Sequence, residues 1–306
     1  MNLINSKIKK IADFVPGIFS AVSFGLIPLF AKPLLDSGFD RSSVLTYRLL
    51  IAALFIFVIS FFKKISLRIS FREIIYLSFI GLLYYFSASL LFISYTYIDT
   101  GLSTVLHFLY PVFVTLIMVF LFKHSVSIIT IISILLSIFG VFFMCFSNDV
   151  SNISFNPIGL VAVICSALAY GVYIVMVNQS KLLREMPNIK LTFYVLVFGG
   201  VLFVAESILK NGGINKLSNT NEYINAISLA LIATLFSNLT LVKSIKLIGS
   251  TRTSVLGAME SITAVSVGVF VFNESFSFRM LVGMVVILIS ITLIVISPLL
   301  GSYKKQ

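Results

Sequence analysis

Ten stretches of about 20 predominantly apolar residues, joined by short polar connections, constrain this chain more than any other feature. A run of that length crosses the ~30 Å hydrocarbon core of a bilayer as an α-helix. The runs lie at roughly 14–34, 43–62, 74–96, 101–122, 127–147, 157–178, 190–209, 224–245, 251–272 and 278–298. Composition agrees: 59% of the residues are hydrophobic and 11% charged, against about 45–50% and about 25% in soluble domains. With charge so scarce, a water-soluble fold of 306 residues could not cover its own surface. The predicted class is an all-α integral membrane protein of ten transmembrane helices. The first run follows Lys7, Lys9 and Lys10, as a signal peptide would, but nine further runs follow and no small-residue cleavage site is evident, so it is read as the first span. The connection from Asn211 to Asn221, rich in Gly, Asn and Ser, predicts an exposed loop. No stretch remains for a nucleotide-binding domain and no phosphate-binding loop occurs, which excludes an ATP-driven pump on this chain.

The net charge of +11 is a topology signal rather than a sign of a nucleic-acid partner, because the basic residues fall between the apolar runs. With the N-terminus placed in the cytoplasm, the inside segments hold Lys7, Lys9, Lys10, Lys63, Lys64, Arg68, Arg72, Lys123, Lys181, Arg184, Lys190, Lys243, Lys246, Arg252, Lys304 and Lys305. The outside segments hold Lys32, Arg41, Lys210, Lys216 and Arg279, and Arg48 stands inside a span. The expected location is therefore the cytoplasmic (inner) membrane, multi-pass, with both termini cytoplasmic. Cys145 and Cys165 sit inside apolar runs and read as small hydrophobes, without metal or disulfide spacing. No cofactor and no metal are expected.

The chain repeats itself. An offset of 150 brings residues 98–127 onto 248–277, with Ile98/Ile248, Val105/Val255, Leu106/Leu256, Phe120/Phe270, Phe122/Phe272, Ser125/Ser275 and Ser127/Ser277 identical. An offset of 146 aligns SAVSFGLIPL with SALAYGVYIV, pairing Ser20/Ser166, Ala21/Ala167 and Gly25/Gly171. The predicted units are 1–150 and 151–306, five spans each. An odd number of spans makes the second half enter from the opposite side, so the halves form an inverted repeat, an architecture typical of secondary transporters.

The stretch GLLYYFSASLLFISYTYIDTGLSTVLHFLYPVFVTLIMVFLF resembles the EamA branch of the drug/metabolite transporter superfamily. So does its second-half partner, with Glu260 and the Asn273–Glu274 hairpin, and so does GLIPLFAK in the first span, with Lys32. The resemblance covers the whole chain in two copies. It departs where Lys123–His124 replace the usual Gly–Glu and where Ser261 replaces the Pro that usually follows the Glu. It implies a carrier of amino acids, nucleotide-like metabolites or drugs, with spans one, three, four, six, eight and nine around a central site.

Polar residues at membrane depth are costly, about 2.5–3.5 kcal/mol each for charged side chains on insertion scales, and each needs a reason. Glu260, tenth in a 22-residue span, reads either as a coupling carboxylate or as a protonated acid bonded across a helix interface. Among the acids, it is the one this reading places at membrane depth. His107 is a ligand contact or a neutral donor to a neighbouring helix; Arg48 snorkels to the headgroups or clamps an anion; Lys32 flanks a vestibule or anchors at the interface. The third span carries Tyr84, Tyr85, Ser87, Ser89, Ser94 and Tyr95, and the eighth carries Thr234, Ser237, Asn238 and Ser244. Tyr85 and Ser89 share a helix face, as do Thr234 and Asn238, so these four are expected to face one central cavity or to glue helices together. Tyr110 and Tyr173 add hydroxyls. Gly25, Pro28, Pro111 and Gly171 are candidate hinges.

The leading functional expectation is a secondary carrier working by alternating access on small polar or zwitterionic metabolites, amino acids or their analogues, in the efflux direction. The alternative is uptake or exchange of nucleotide-like metabolites such as S-adenosylmethionine. A channel or a non-transporting scaffold is a less favoured reading; a channel should show a ring of like charges or a filter motif, and the sequence has neither. An enzyme would need convergent catalytic groups, and only two His occur. The expected partners are a small-molecule substrate and the lipid bilayer, with the protein a monomer or homodimer.

Overall fold

The computed structural model describes residues 11–94, 96–98, 100–145, 156–273 and 276–300. Lys7, Lys9, Lys10, Tyr95, Glu274, Lys304, Lys305 and the side chains of Val105 and Cys145 lie outside the described residues. Every regular element among the described residues is helical, as hydrocarbon demands of a backbone that must satisfy its own polar groups. In chain order these are α1 (Val15–Gly25), α2 (Ile27–Asp36), α3 (Arg41–Phe62), α4 (Phe71–Ser94), α5 (Thr100–His107), α6 (Tyr110–Phe120), α7 (Ile128–Cys145), α8 (Pro157–Gln179), α9 (Lys181–Glu185), α10 (Asn188–Asn211), α11 (Thr220–Ala230), a π-helical segment (Leu231–Phe236), α12 (Ser237–Ile248), α13 (Ser250–Leu256), α14 (Ala258–Phe272) and α15 (Phe278–Leu300). Eight stretches of described residues are long and apolar enough to cross a membrane. Two shorter apolar helices, Tyr110–Phe120 and Ile128–Phe143, stand where the fourth and fifth spans are expected.

Three of the long paths are interrupted, each for a local reason. Pro28 at the start of α2 has no N–H to continue the ladder of α1, and the chain turns at Leu26. Pro111 does the same at the start of α6, parting it from α5. Gly257 separates α13 from α14. By contrast α8 runs unbroken through Gly171, so that glycine serves close packing rather than a break.

Packing follows the repeat. The last helices of the two halves, α7 and α15, lie against each other, as do the second ones, α3 and α10. The pair α4 with α8 has its counterpart in α12 with α1, and α6 with α8 in α14 with α1. Equivalent helices run antiparallel. Along α3 and α10, Ser42 meets Asn211 at 3.1 Å while Gly200 faces Leu49 and Leu50. Along α7 and α15, the Ser290 hydroxyl donates to the Ser133 carbonyl at 2.6 Å while Gly140 faces Gly283 and Ile287.

The helix ends are capped by short polar side chains. Asp40 caps α3, accepting from the Ser43 N–H at 2.9 Å. Burial pushes the Asp40 carboxyl up, but hydrogen bonds from Ser42 and Ser43 outweigh it and hold it below the usual 3.8. Asn219 and Glu222 form a capping box on α11. The segment after α10, expected as an exposed loop, is also tied to α3 at that same end. There the Asp40 N–H donates to Asn215 Oδ1 at 2.9 Å and the Tyr47 hydroxyl donates to the Asn215 carbonyl at 2.7 Å.

Candidate substrate site

At the centre of the bundle a void of about 10 Å³, room for about one water, is lined by Gly17, Ser20 and Phe24 of α1, Tyr110 of α6, Tyr170 of α8, Leu241 of α12, Thr253 of α13, Gly257 and Glu260. Two small-residue crossings close the helices around it. A Cβ on Gly25 would strike Thr263 and would lie 2.6 Å from the Glu260 carbonyl. A Cβ on Gly171 would lie 3.2 Å from Phe113 Cβ and 3.5 Å from the Tyr110 carbonyl. The 150 offset that pairs the two halves pairs Tyr110 with Glu260 and His107 with Gly257. The same crossing is thus made once in each half.

The two interrupted paths meet at this void. The Tyr110 hydroxyl donates to the Ser254 carbonyl at 3.1 Å, in the last turn of α13. Gly257 permits it, because a Cβ there would collide with the Tyr110 hydroxyl oxygen. Glu260 sits one turn further along, in the first turn of α14. Its carboxylate accepts no hydrogen bond from a side chain or backbone group among the described residues and belongs to neither salt bridge found there.

The structure turns Arg48 inward. Snorkelling would have left it in the headgroups, yet it is 9% exposed. Its Nε donates to Thr234 Oγ1 at 2.8 Å, and its guanidinium lies 5.9 Å from the Phe24 ring centroid. The cause is local. In the π-helical segment the Thr234 hydroxyl donates to the Leu229 carbonyl, five residues back, at 2.9 Å, and this turns its lone pair toward α3. Neither salt bridge among the described residues joins Arg48 to Glu260. Asn238, one turn beyond Thr234, donates to the Thr234 carbonyl at 2.8 Å and leaves Oδ1 buried without a partner among the described residues.

On the other side of the void an aromatic run leads across the bundle. Tyr110 meets Tyr170 edge-on at 4.9 Å, Tyr170 stacks on Tyr173 at 5.9 Å, and Tyr173 meets Tyr84 at 5.7 Å. His107 stands 5.9 Å from both Tyr110 and Tyr170. Ser166 Oγ lies 3.0 Å from His107 Nδ1 and spends its own proton on the Ser87 carbonyl. His107 Nδ1 is therefore the donor in that pair, which leaves Nε2 as an acceptor.

The four residues expected to share one cavity fall in two places. Thr234 and Asn238 are buried beside Arg48. Tyr85 and Ser89 instead reach Glu206 Oε2, at 3.1 and 3.3 Å, and Ser89 and Glu206 line a separate 450 Å³ cavity with Asp40, Arg41 and Lys210. Sharing a helix face fixes direction, but which neighbour lies there is a matter of tertiary packing. Glu206 also corrects the sequence reading, which placed Glu260 alone at depth: it stands inside the apolar run of α10, with Lys210 at 2.6 Å on its other oxygen. The i,i+4 spacing of Glu206 and Lys210 was the signal for it. Nothing in the sequence marks Phe24, Tyr170 or Ser254 as part of this site. Lys32 lies with Nζ 4.3 Å from the Phe272 ring centroid. Among the described residues no group of three or more His, Cys, Asp and Glu could hold a metal ion.

No curated protein sequence matches this chain. A solved structure described only as "Crystal structure of protein" has the same fold, with TM-score 0.80 and 14% sequence identity over 96% of this chain and 99% of the other. The sequence pattern of the EamA-like transporter family matches residues 15–146 and again residues 157–296. With both matches spanning nearly its whole length, this multi-pass membrane protein belongs to the EamA-like transporter family.

Proposed function

We propose that the protein is a secondary active transporter that moves a small zwitterionic metabolite, an amino acid or a close relative, by alternating access. One observation carries the substrate class. Two opposite charges, the half-buried Glu260 in the lining of the central void and the buried Arg48, 5.9 Å from the ring centroid of Phe24, another lining residue, form no ion pair with each other. Leaving such charges uncompensated is expensive. A zwitterion compensates both, its carboxylate on Arg48 and its ammonium on Glu260, while Tyr110 and Tyr170 offer faces to its side chain.

The void is far too small for such a molecule, so binding requires the helices to part. The breaks at Leu26, at Phe108–Leu109 and at Gly257 are the points at which they bend, and Gly25 and Gly171 are the points at which they slide. In this reading α5 with α6, and α7, complete ten crossings, and the antiparallel packing of α3 on α10 supports an inverted repeat of two five-helix halves, 1–150 and 151–306. The basic residues at the end of the bundle that carries Lys63 and Arg68 support a cytoplasmic position for that end and for both termini, in the inner membrane; efflux is the working direction of this proposal. Glu260, able to hold either a proton or the ammonium of the substrate, couples one to the other. His107, Tyr84, Tyr173, Thr234 and Asn238 position the charged pair, and Tyr85 and Ser89 stand outside it, with Glu206.

Counterflow in proteoliposomes tests this reading. Radiolabelled amino acid should be displaced by amino acids but neither by their amides, which lack the carboxylate, nor by hydroxy acids, which lack the ammonium. Arg48→Gln should abolish the discrimination against amides. Equal displacement of the wild type by amides and amino acids would refute the assignment. The aromatic faces of Tyr110 and Tyr170 favour one alternative, a nucleotide-like zwitterion such as S-adenosylmethionine, and competition by that compound decides it.

A further inference from the structure

A second cavity, of 410 Å³, opens at the end of the bundle where α6, α8 and α12 end and α13 begins. Its volume falls within the ~300–1,000 Å³ typical of small-molecule sites. α13 is the wall between it and the central void: Thr253 faces the void, while Thr251 and Arg252 face the cavity. The lining contains no acidic residue, and its only ionisable side chains are His124 and Arg252. Neither salt bridge among the described residues involves Arg252, and no side chain or carbonyl among them accepts from its guanidinium.

Thr251 supplies a second, independent observation. It is 9% exposed, and its Oγ1 is buried without a hydrogen-bond partner among the described residues. The neighbouring polar groups are already engaged with one another: Ser127 with Thr130 at 2.9 Å, and the Gln179 amide on Asn178 Oδ1 at 2.6 Å. An unsatisfied hydroxyl beside an uncompensated guanidinium is a pair that a planar or tetrahedral oxyanion completes, since guanidinium donates two parallel N–H bonds to such groups. Sequence spacing alone gave Arg252 no role beyond topology.

We propose that this cavity is an oxyanion site, holding a carboxylate or phosphate group on Arg252 and Thr251, separate from the central void. The site does not depend on what the centre carries. The group belongs either to a soluble solute entering from that end or to a lipid headgroup, and the two sources are separable.

The test uses the full-length protein in phosphatidylcholine nanodiscs, modified with the arginine reagent phenylglyoxal and read residue by residue by mass spectrometry. At constant ionic strength, replacing chloride by sodium acetate or sodium phosphate should slow modification of Arg252 about threefold or more, as charge-assisted bonds cover the guanidinium. The exposed Arg68 should be unaffected. Protection that requires phosphatidylglycerol in the disc, and not free anion, supports the site and assigns it to a headgroup. Equal rates at Arg252 in chloride, acetate, phosphate and phosphatidylglycerol, or changes that Arg68 shares, would overturn it.

Discussion

Gly257→Ala tests the meeting of the two interrupted helices. The new Cβ would collide with the Tyr110 hydroxyl and would lie 3.0 Å from the Ser254 carbonyl and 3.1 Å from Tyr110 Cζ. Tyr110 cannot swing aside, because Phe108 at 5.4 Å, Tyr170 at 4.9 Å and His107 at 5.9 Å enclose its ring. Pushing the hydroxyl off the Ser254 carbonyl strands buried polar groups at about 1–3 kcal/mol. Overpacking adds about 1–3 kcal/mol, and the lower backbone entropy of alanine returns about 0.5–1 kcal/mol. The net loss is about 1–5 kcal/mol, or a fall in Tm of about 2–10 °C at roughly 2 °C per kcal/mol for a chain of this size. Tyr110→Phe removes the oxygen in the way and by itself costs about 1 kcal/mol, the lost bond. The double variant should therefore match Tyr110→Phe alone to within about 1 kcal/mol, a coupling that independent sites do not show. Thermal unfolding in detergent, followed with a thiol-reactive dye, measures all four proteins. A Gly257→Ala variant as stable as the wild type, or losses that simply add, would refute the contact.

Two further substitutions probe the frame around the site. Thr234→Val leaves the Arg48 guanidinium without its acceptor and should cost about 1.5–3 kcal/mol, more than Thr234→Ser, in the same unfolding assay. Asp40→Ala removes the cap of α3 and should cost about 0.5–2 kcal/mol. Because the folded Asp40 carboxyl titrates below its ordinary value, its contribution is present above that value and lost as pH falls through the folded one. The gap between Asp40→Ala and wild type in a pH series of unfolding curves should accordingly narrow below about pH 4.

The membrane class, the positions of the long helices and the repeat were legible in the sequence, because about 20 apolar residues per span and matched small residues are strong, local signals. Pro28 and Pro111 announced two breaks through their missing N–H. The break at Gly257 carried no comparable mark, since a glycine in an apolar run reads equally as packing. The inward turn of Arg48 was not legible either. It depends on the π-helical segment opposite, whose registration is set by tertiary contacts, and a long side chain near a span end can point either way. Glu206 is legible in the sequence, since a carboxylate inside the seventh run needs the same explanation as Glu260. The division of Tyr85 and Ser89 from Thr234 and Asn238 lay beyond any periodicity, because it records which helix packs against which.

The central claim is that Glu260 ties the movement of substrate to that of protons, and Glu260→Gln tests it most directly, since it removes the charge while nearly keeping the shape. Exchange of labelled amino acid at equal pH and accumulation driven by an imposed pH gradient are measured on the same proteoliposomes, for wild type and variant. The account predicts that the variant folds and retains exchange, with weakened apparent affinity, but accumulates nothing in response to the gradient. Gradient-driven accumulation by Glu260→Gln equal to that of the wild type would contradict it.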